Sequence, residues 1–187
     1  MRYPKAYKFQ TRQRIVQAAS RGFDGIAIGE LMAELELTHG EFYRHFPTKE
    51  SLYAETLAYS IDDGQATLLS ACAEADKLTL RDVIRAYLSP DHCANVAGGC
   101  PVAALAADIA RQSPTIQTVF EQALQRYRGR FLPLMKGATQ AERERQFLVL
   151  SSGMAGTLSV ARAVSDDALR RSMLEATGDF CLRTFCE

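Results

Sequence analysis

The chain has 187 residues, enough for one large domain or two small ones, and 47% of them are hydrophobic. Its 22 basic and 22 acidic residues cancel, so the charge of the whole molecule does not by itself point to nucleic acid. Five cysteines, an odd number, do not suggest a disulfide scaffold, and no apolar run is long enough to cross a bilayer; a cytoplasmic location with reduced thiols is expected.

Met1–Arg14 is polar and lacks the apolar centre of a secretion signal. Arg2, Lys5, Lys8, Arg12, Arg14 and Arg21 all precede the first acidic residue, Asp24. A basic arm and first helix of this kind can neutralise phosphates and add salt-dependent affinity, although a solvated helix face would look the same. The first helix is expected from Lys5 to Arg21, with Ile15, Ala18 and Ala19 inward. A second, Ile28-Gly29-Glu30-Leu31-Met32-Ala33-Glu34-Leu35, has apolar residues at helical spacing and is followed by the short link Glu36-Leu37.

The next segment, Leu37 through Lys49, is the most informative in the chain. Thr38 is placed to cap a short helix by accepting from free N–H groups of its first turn. Phe42 and Phe46, one turn apart, anchor one face. Gly40, Tyr43 and Arg44 fall on another arc, with His39 at the exposed N-terminal end. Pro47 stops the helix, and Thr48 caps the next with Lys49 in its first turn. Two short helices joined by a tight link form the helix-turn-helix plan, in which the second helix enters the DNA major groove.

On these residues the N-terminal quarter resembles the TetR/AcrR family of bacterial transcriptional regulators. The matching residues are Arg14-Ile15-Val16, Ala18-Ala19, Gly29-Glu30-Leu31-Met32, and Leu37 through Lys49, with Leu-Thr-His-Gly-x-Phe-Tyr-x-His-Phe as the specific string. The resemblance implies an all-α fold of about nine helices, with a three-helix DNA-binding head over residues 1–47 and a ligand-binding and dimerisation body over residues 48–187. It also implies DNA contacts at Thr38, His39, Gly40, Glu41, Tyr43, Arg44, His45 and Lys49. The chemistry fits most of them. A hydroxyl and exposed amides suit phosphate, Gly40 permits close approach, and Tyr43 can donate to phosphate or touch a thymine methyl. Arg44 can read a guanine edge or pair with phosphate. Glu41 either accepts from cytosine N4 or merely flanks the site.

The chain departs from the family pattern in two places. Ala18-Ala19-Ser20-Arg21 runs directly into Gly22-Phe23-Asp24-Gly25, so the first helix is short by about one turn, roughly five residues, with Phe23 in place of the missing aromatic. Ile28 stands where a hydroxyl often caps the second helix and touches phosphate.

Other chemistry is weaker. Glu36-x-x-His39 has di-iron spacing, but it occurs once and crosses a turn, so no metal site is expected. His39, His45 and His92 belong to no nucleophile elbow, phosphate-cradling loop or paired-carboxylate motif, and His92-Cys93, adjacent in a loop, is a poor base–nucleophile pair. Neither catalysis nor a cofactor is implied.

Further along, Thr48 opens a long helix to about Ala73, Leu80 to Leu88 forms another, and Pro90 to Gly99 is expected as loop. Gly98-Gly99-Cys100-Pro101 starts a helix through Arg111, and Pro114 begins the next. Helices at Gln140–Val164 and Asp166–Phe185 complete the set. Cys100 at a helix N-terminus, and Cys93 across the loop, are candidate redox or electrophile sensors, because the helix dipole can lower a thiol pKa; the alternative for Cys100 is a small buried hydrophobe. Cys181 and Cys186 are read as packing or surface residues.

The last two helices are rich in small residues, and the resemblance places there a two-helix share of a dimeric four-helix bundle. Its candidate residues are Phe147, Leu150, Met154, Leu158, Leu174, Phe180 and Leu182. The resemblance also implies an apolar effector cavity, for which Tyr59, Leu68, Tyr87, Leu105, Phe120, Leu124, Tyr127 and Met154 are candidates, though any core needs such residues. The function implied is a homodimeric repressor released from palindromic double-stranded operator DNA by an unidentified small-molecule effector, with no role at a membrane. A regulator of the same fold switched at Cys100 or Cys93 is the alternative. A helical enzyme and a protein-interaction module rank behind both.

Overall fold

The computed structural model describes residues 5–20, 28–72 and 78–187, which are helices and short connections. In chain order the helices are α1 (Lys5–Ser20), α2 (Ile28–Glu34), α3 (His39–His45), α4 (Lys49–Ala71), α5 (Leu80–Tyr87), α6 (Pro90–Ala94), α7 (Pro101–Ile109), α8 (Pro114–Phe131), α9 (Gln140–Ala163) and α10 (Asp167–Cys186). A 3-10 turn, Leu132–Leu134, follows α8. Arg2, Arg21, the Gly22–Gly25 junction with Phe23, the side chain of Lys5, and the expected end of α4 at Ala73 lie outside the described residues.

The helix starts follow local chemistry. Thr38, Thr48, Thr79 and Thr139 each cap a helix, with Glu41, Ser51, Asp82 and Glu142 reaching back to close reciprocal capping boxes. Ser89-Pro90 and Ser113-Pro114 start α6 and α8 with a serine cap and proline in the first turn. The Ser89-Pro90 start corrects the expectation of loop from Pro90 to Gly99. Ser89-Pro90 both ends α5 and begins α6, since the Ser89 hydroxyl accepts from His92 N–H at 3.1 Å.

α4 is the spine. Leu52 packs in the head core with Ile15, Val16, Leu31, Met32, Phe42 and Phe46. Leu57 and Ile61 join a middle cluster with Leu105, Ile109 and Ile116, and Leu68 enters the body core. One helix of 23 residues, about 34 Å long at 1.5 Å per residue, therefore contributes to all three clusters. The head core does not stop at residue 47, because Leu52 and Tyr59 of α4 pack in it.

Candidate nucleic-acid interface

The geometry of α3 begins at the turn before it. α2 ends with Glu36 in the left-handed region, at φ 57°, while Glu36 N–H donates to Ala33 O at 3.1 Å and Leu37 N–H to Met32 O at 2.8 Å. This bond pair is a Schellman motif, which reverses the chain tightly and usually has glycine where Glu36 stands. Thr38 then caps α3: its hydroxyl accepts from Glu41 N–H at 3.2 Å, and the Glu41 carboxylate accepts from Thr38 N–H at 2.8 Å and from the Thr38 hydroxyl at 2.9 Å. These bonds from Thr38, backbone first, hold the Glu41 carboxyl below the usual carboxylate range. The Glu41 carboxylate is thus turned back onto the cap.

Phe42 and Phe46 are fully buried, with ring centroids 5.8 Å apart, and fasten α3 to the head. That leaves His39, Gly40, Tyr43 and Arg44 exposed, with Lys49 exposed at the start of α4. Tyr43 is 56% exposed; its ring stands edge-on to Phe42 at 5.0 Å and lies 6.2 Å from His39. The outer surface of α3 therefore carries a phenol, a guanidinium, an imidazole and a glycine on a rigid platform. His45 faces the other way. It is half-buried, its carbonyl accepts from Arg12, and its Nδ1 is buried without a partner among the described residues. Burial, then Lys8 and Arg12, push its pKa down.

Arg12 also departs from the expectation of a phosphate-binding arm. Its guanidinium donates to Glu55 and to the His45 carbonyl, and it lies 4.2 Å over the Phe46 ring. It joins α1, α3 and α4.

The effector candidates do not share one cavity. Leu68, Tyr87 and Tyr127 converge on a narrow pocket that also includes His92 and Cys100, while Met154 and Tyr127 line a second one beside it. Leu105 lines an open cleft of about 590 Å³ between α4, α7, α9 and the loop at 96–99. Tyr59 packs against the head core and Phe120 against the middle cluster, and Leu124 is half-buried on α8. Cys93 and Cys100 are both buried. Cys100 caps α7 without a side-chain bond; its N–H donates to His92 Nε2 at 3.1 Å.

The dimer candidates are divided by burial. Phe147, Leu150, Met154, Leu158 and Leu174 are buried inside one protomer, and Leu182 packs against that core. Among these candidates, only Phe180 is more than half exposed, at 57%. The apolar residues that α9 and α10 present outward are instead Leu148, Val149, Val160, Leu169 and Phe180. Exposed Gly153 and Gly156 interrupt the α9 stripe, and neither Cβ position meets anything within 4 Å. The sequence pattern marks both faces of α9 as apolar, so periodicity alone left inner and outer faces undistinguished.

Sequence reasoning missed Gly64, Gln65 and Arg162. Arg162 donates to the carbonyls of His92, Cys93 and Asn95, covering the end of α6. Gly64 lets the loop approach α4, because a Cβ there would lie 2.9 Å from Gly99 O. A helix-interior glycine is the one sequence signal that pointed to such an approach.

Residues 15–56 match the family described as bacterial regulatory proteins, tetR family. No curated protein matches the chain. Among solved structures, a TetR-family transcriptional regulator from Cytophaga hutchinsonii is similar with a TM-score of 0.77 and 15% identity, over 99% of this chain and 100% of that one. E. coli NemR in its reduced form has a TM-score of 0.65 and 20% identity over 94% and 97% of the two chains. A TetR-family regulator from Agrobacterium tumefaciens has 0.64 and 17%, over 90% and 98%. Residues 15–56 thus match the tetR family model, and the chain as a whole has the all-α fold seen in these solved structures.

Proposed function

We propose that the chain acts as a homodimeric transcriptional regulator that binds a palindromic operator through α3 and is released from it by a small molecule bound in the body. The outward surface of α3 carries this reading. A doubly capped helix, anchored by Phe42 and Phe46, presents His39, Gly40, Tyr43 and Arg44 to solvent within the segment that matches the tetR family. The arrangement supports Tyr43 and Arg44 as groups that touch DNA, with Lys49 and the Thr38 end of the helix on phosphate. Glu41 works as the cap partner that keeps the helix end rigid.

Dimerisation through the outward apolar face of α9 and α10 brings two heads onto one duplex. Their α3 helices must then sit about 34–36 Å apart, or a multiple of that, to enter successive major grooves. A ligand acts by favouring a body conformation with a different head separation, which requires it to bind the two states with different affinity.

The test is fluorescence anisotropy with the DNA upstream of the chain's own gene, over a salt series. Specific binding that weakens steeply with salt and is lost in Tyr43→Ala supports the reading. Binding that is absent, or indifferent to both Tyr43→Ala and Lys49→Ala, overturns it.

Switching by oxidation or electrophile attack at Cys100 or Cys93 is the second reading. The position of Cys100 at the start of α7 favours it, and the burial of both thiols opposes it. Operator affinity unchanged by peroxide or a quinone removes this reading.

A further inference from the structure

We propose that the narrow pocket between α4, α5, α7 and α8 binds a small, flat, uncharged molecule carrying a hydrogen-bond acceptor, held by the side-chain amide of Gln65. The proposal deepens the effector reading above and rests on it for its link to DNA.

The argument begins with the amide. Gln65 is only 3% exposed, and its Oε1 accepts from Arg130. A guanidinium has donors and no acceptor, so the amide oxygen must face Arg130 and the NH2 group must face away. That Nε2 is buried without a partner among the described residues, and Gln65 lines the pocket. Buried donors are almost always satisfied, by protein, water or a bound molecule, so this one in the pocket wall is a place where a ligand's acceptor can replace a water.

The rest of the wall selects against charge. Ile61, Leu68 and Val102 are apolar. Burial keeps the phenols of Tyr87 and Tyr127 protonated well beyond their ordinary range. His92 is fixed as the neutral tautomer, because its Nδ1 faces the Tyr87 carbonyl at 2.6 Å and its Nε2 accepts from Cys100 N–H. An ion entering this pocket would lose its hydration and meet no charged side chain in the lining. The rings of Tyr87, Tyr127 and His92 favour a flat guest.

The pocket is narrow in this structure, with a volume of about 10 Å³. That is room for one water. A ligand the size of a benzene ring therefore fits only an expanded form. Gly64 also lines the pocket, and there is no slack between it and the carbonyl of Gly99. Expansion that parts α7 from α4 moves the Gly99–Pro101 segment away from Gly64, on the helix that contributes to both the head and body cores. Binding selects the expanded state, and this gives the ligand the differential affinity that a switch requires.

The test uses four probes of one size on the full chain, by calorimetry and thermal shift: acetophenone, benzoate, benzylammonium and ethylbenzene. The expected result is saturable binding of acetophenone at one site per chain, with both ions weaker by tenfold or more. In Gln65→Met, which keeps length and loses the amide, the preference for acetophenone over ethylbenzene falls about tenfold, the scale of one hydrogen bond. Gln65→Leu serves as a second variant if Gln65→Met is unstable. The proposal is overturned if acetophenone fails to saturate, if benzoate binds as well, or if the preference survives in the variants. The readout involves no DNA. Gln65-dependent binding that leaves operator affinity unchanged therefore supports the pocket and removes the ligand-release reading.

Discussion

Arg12 and Glu55 form an ion pair at 2.5 Å that ties the first helix of the head to the helix leading into the body. Both side chains are about a third or more exposed, so the charge attraction alone contributes under about 1 kcal/mol. Arg12 also satisfies the His45 carbonyl and covers the Phe46 ring, which raises the cost of losing it to about 1–2 kcal/mol. Arg12→Ala is expected to lower the Tm by roughly 2–8 °C, at about 2–4 °C per kcal/mol for a chain of this size. Arg12→Lys should lose most of the same stability, because a single ammonium nitrogen cannot span the Glu55 carboxylate and the His45 carbonyl as the planar fork does. Since this guanidinium is engaged inside the protein, Arg12→Gln should leave the salt dependence of operator binding unchanged. Arg44→Gln should flatten its slope by about one unit for each phosphate that the guanidinium neutralises. A slope that falls in Arg12→Gln instead would place Arg12 on DNA.

Glu36 holds a left-handed backbone at the turn between α2 and α3. A side chain there costs about 1–2 kcal/mol relative to glycine. Glu36→Gly is expected to raise the stability of the head by about 1 kcal/mol, since the looser unfolded chain offsets part of the relief. It also removes a negative charge beside the start of α3, so operator affinity should rise at low salt and converge with the parent at high salt. Unchanged or lowered denaturation midpoints in Glu36→Gly would show that the turn is not strained.

The short motif residues were legible because each has a local signature. Thr38 caps, Phe42 and Phe46 repeat at one turn, and Pro47 stops the helix, so the platform of α3 follows from neighbours a few positions apart. Long-range partners left no such trace. Nothing near Arg12 in sequence announces Glu55 or the His45 carbonyl, and nothing near His45 says that it turns inward. The same limit separates Leu158, buried inside the protomer, from Val160, 53% exposed on the outward stripe. On a helix apolar on both sides, only the packing of α10, α6 and α7 shows which side is the core.

The neutral state of His92 gives the body a pH dependence. Burial, which is opposed by the Tyr87 carbonyl and reinforced by the Arg162 guanidinium, sets the His92 pKa below its ordinary value, and burial does the same at His45. With a folded pKa below the unfolded one, the unfolded chain takes up the proton first. The contribution is complete above about pH 6.5 and is lost as pH falls through the folded value. Groups against His92 are Tyr87, Cys100 and Arg162, none of which supplies a carboxylate to reverse the sign. The Tm should fall between pH 7.5 and 5.5, and His92→Gln should reduce that slope while lowering the Tm at pH 7.5. A Tm that rises on acidification in this window contradicts the assignment.

The outward stripe of α9 predicts how dimerisation fails. Val160→Glu places a charge at the centre of the proposed interface, and Gly156→Trp blocks the close approach that the glycine allows. Both are expected to run as monomers by light scattering at concentrations where the parent is dimeric, and to lose at least about 100-fold in operator affinity, because the second head no longer binds from a tethered position. Leu158→Ala is the contrast. It empties a site with no exposure, costs about 2–5 kcal/mol of stability, and should leave the association state intact. Dimers that survive Val160→Glu but dissociate in Leu158→Ala would return the interface to the inner face.

Two glycines separate helix propensity from packing. In the interior of an exposed helix, glycine to alanine stabilises by about 0.5–1 kcal/mol. Gly129 on α8 has nothing within 4 Å of its Cβ position, so Gly129→Ala should gain about that much. At Gly64 the Cβ would stand 2.9 Å from Gly99 O and 3.0 Å from Pro101 Cδ, and neither belongs to a flexible side chain that can turn away. Moving that backbone costs about 1–3 kcal/mol, which outweighs the propensity gain, so Gly64→Ala should be destabilised on balance. The Gly99 segment it displaces follows a stretch held from the other side by Arg162 bonds to Asn95 and His92, so strain enters the loop and α4 together. If this approach links pocket and head, operator affinity changes in Gly64→Ala and stays at the parent value in Gly129→Ala, with both measured well below their melting temperatures. Equal operator affinities in the two variants, with Gly64→Ala destabilised, would make the approach purely structural and leave the coupling to another part of α4.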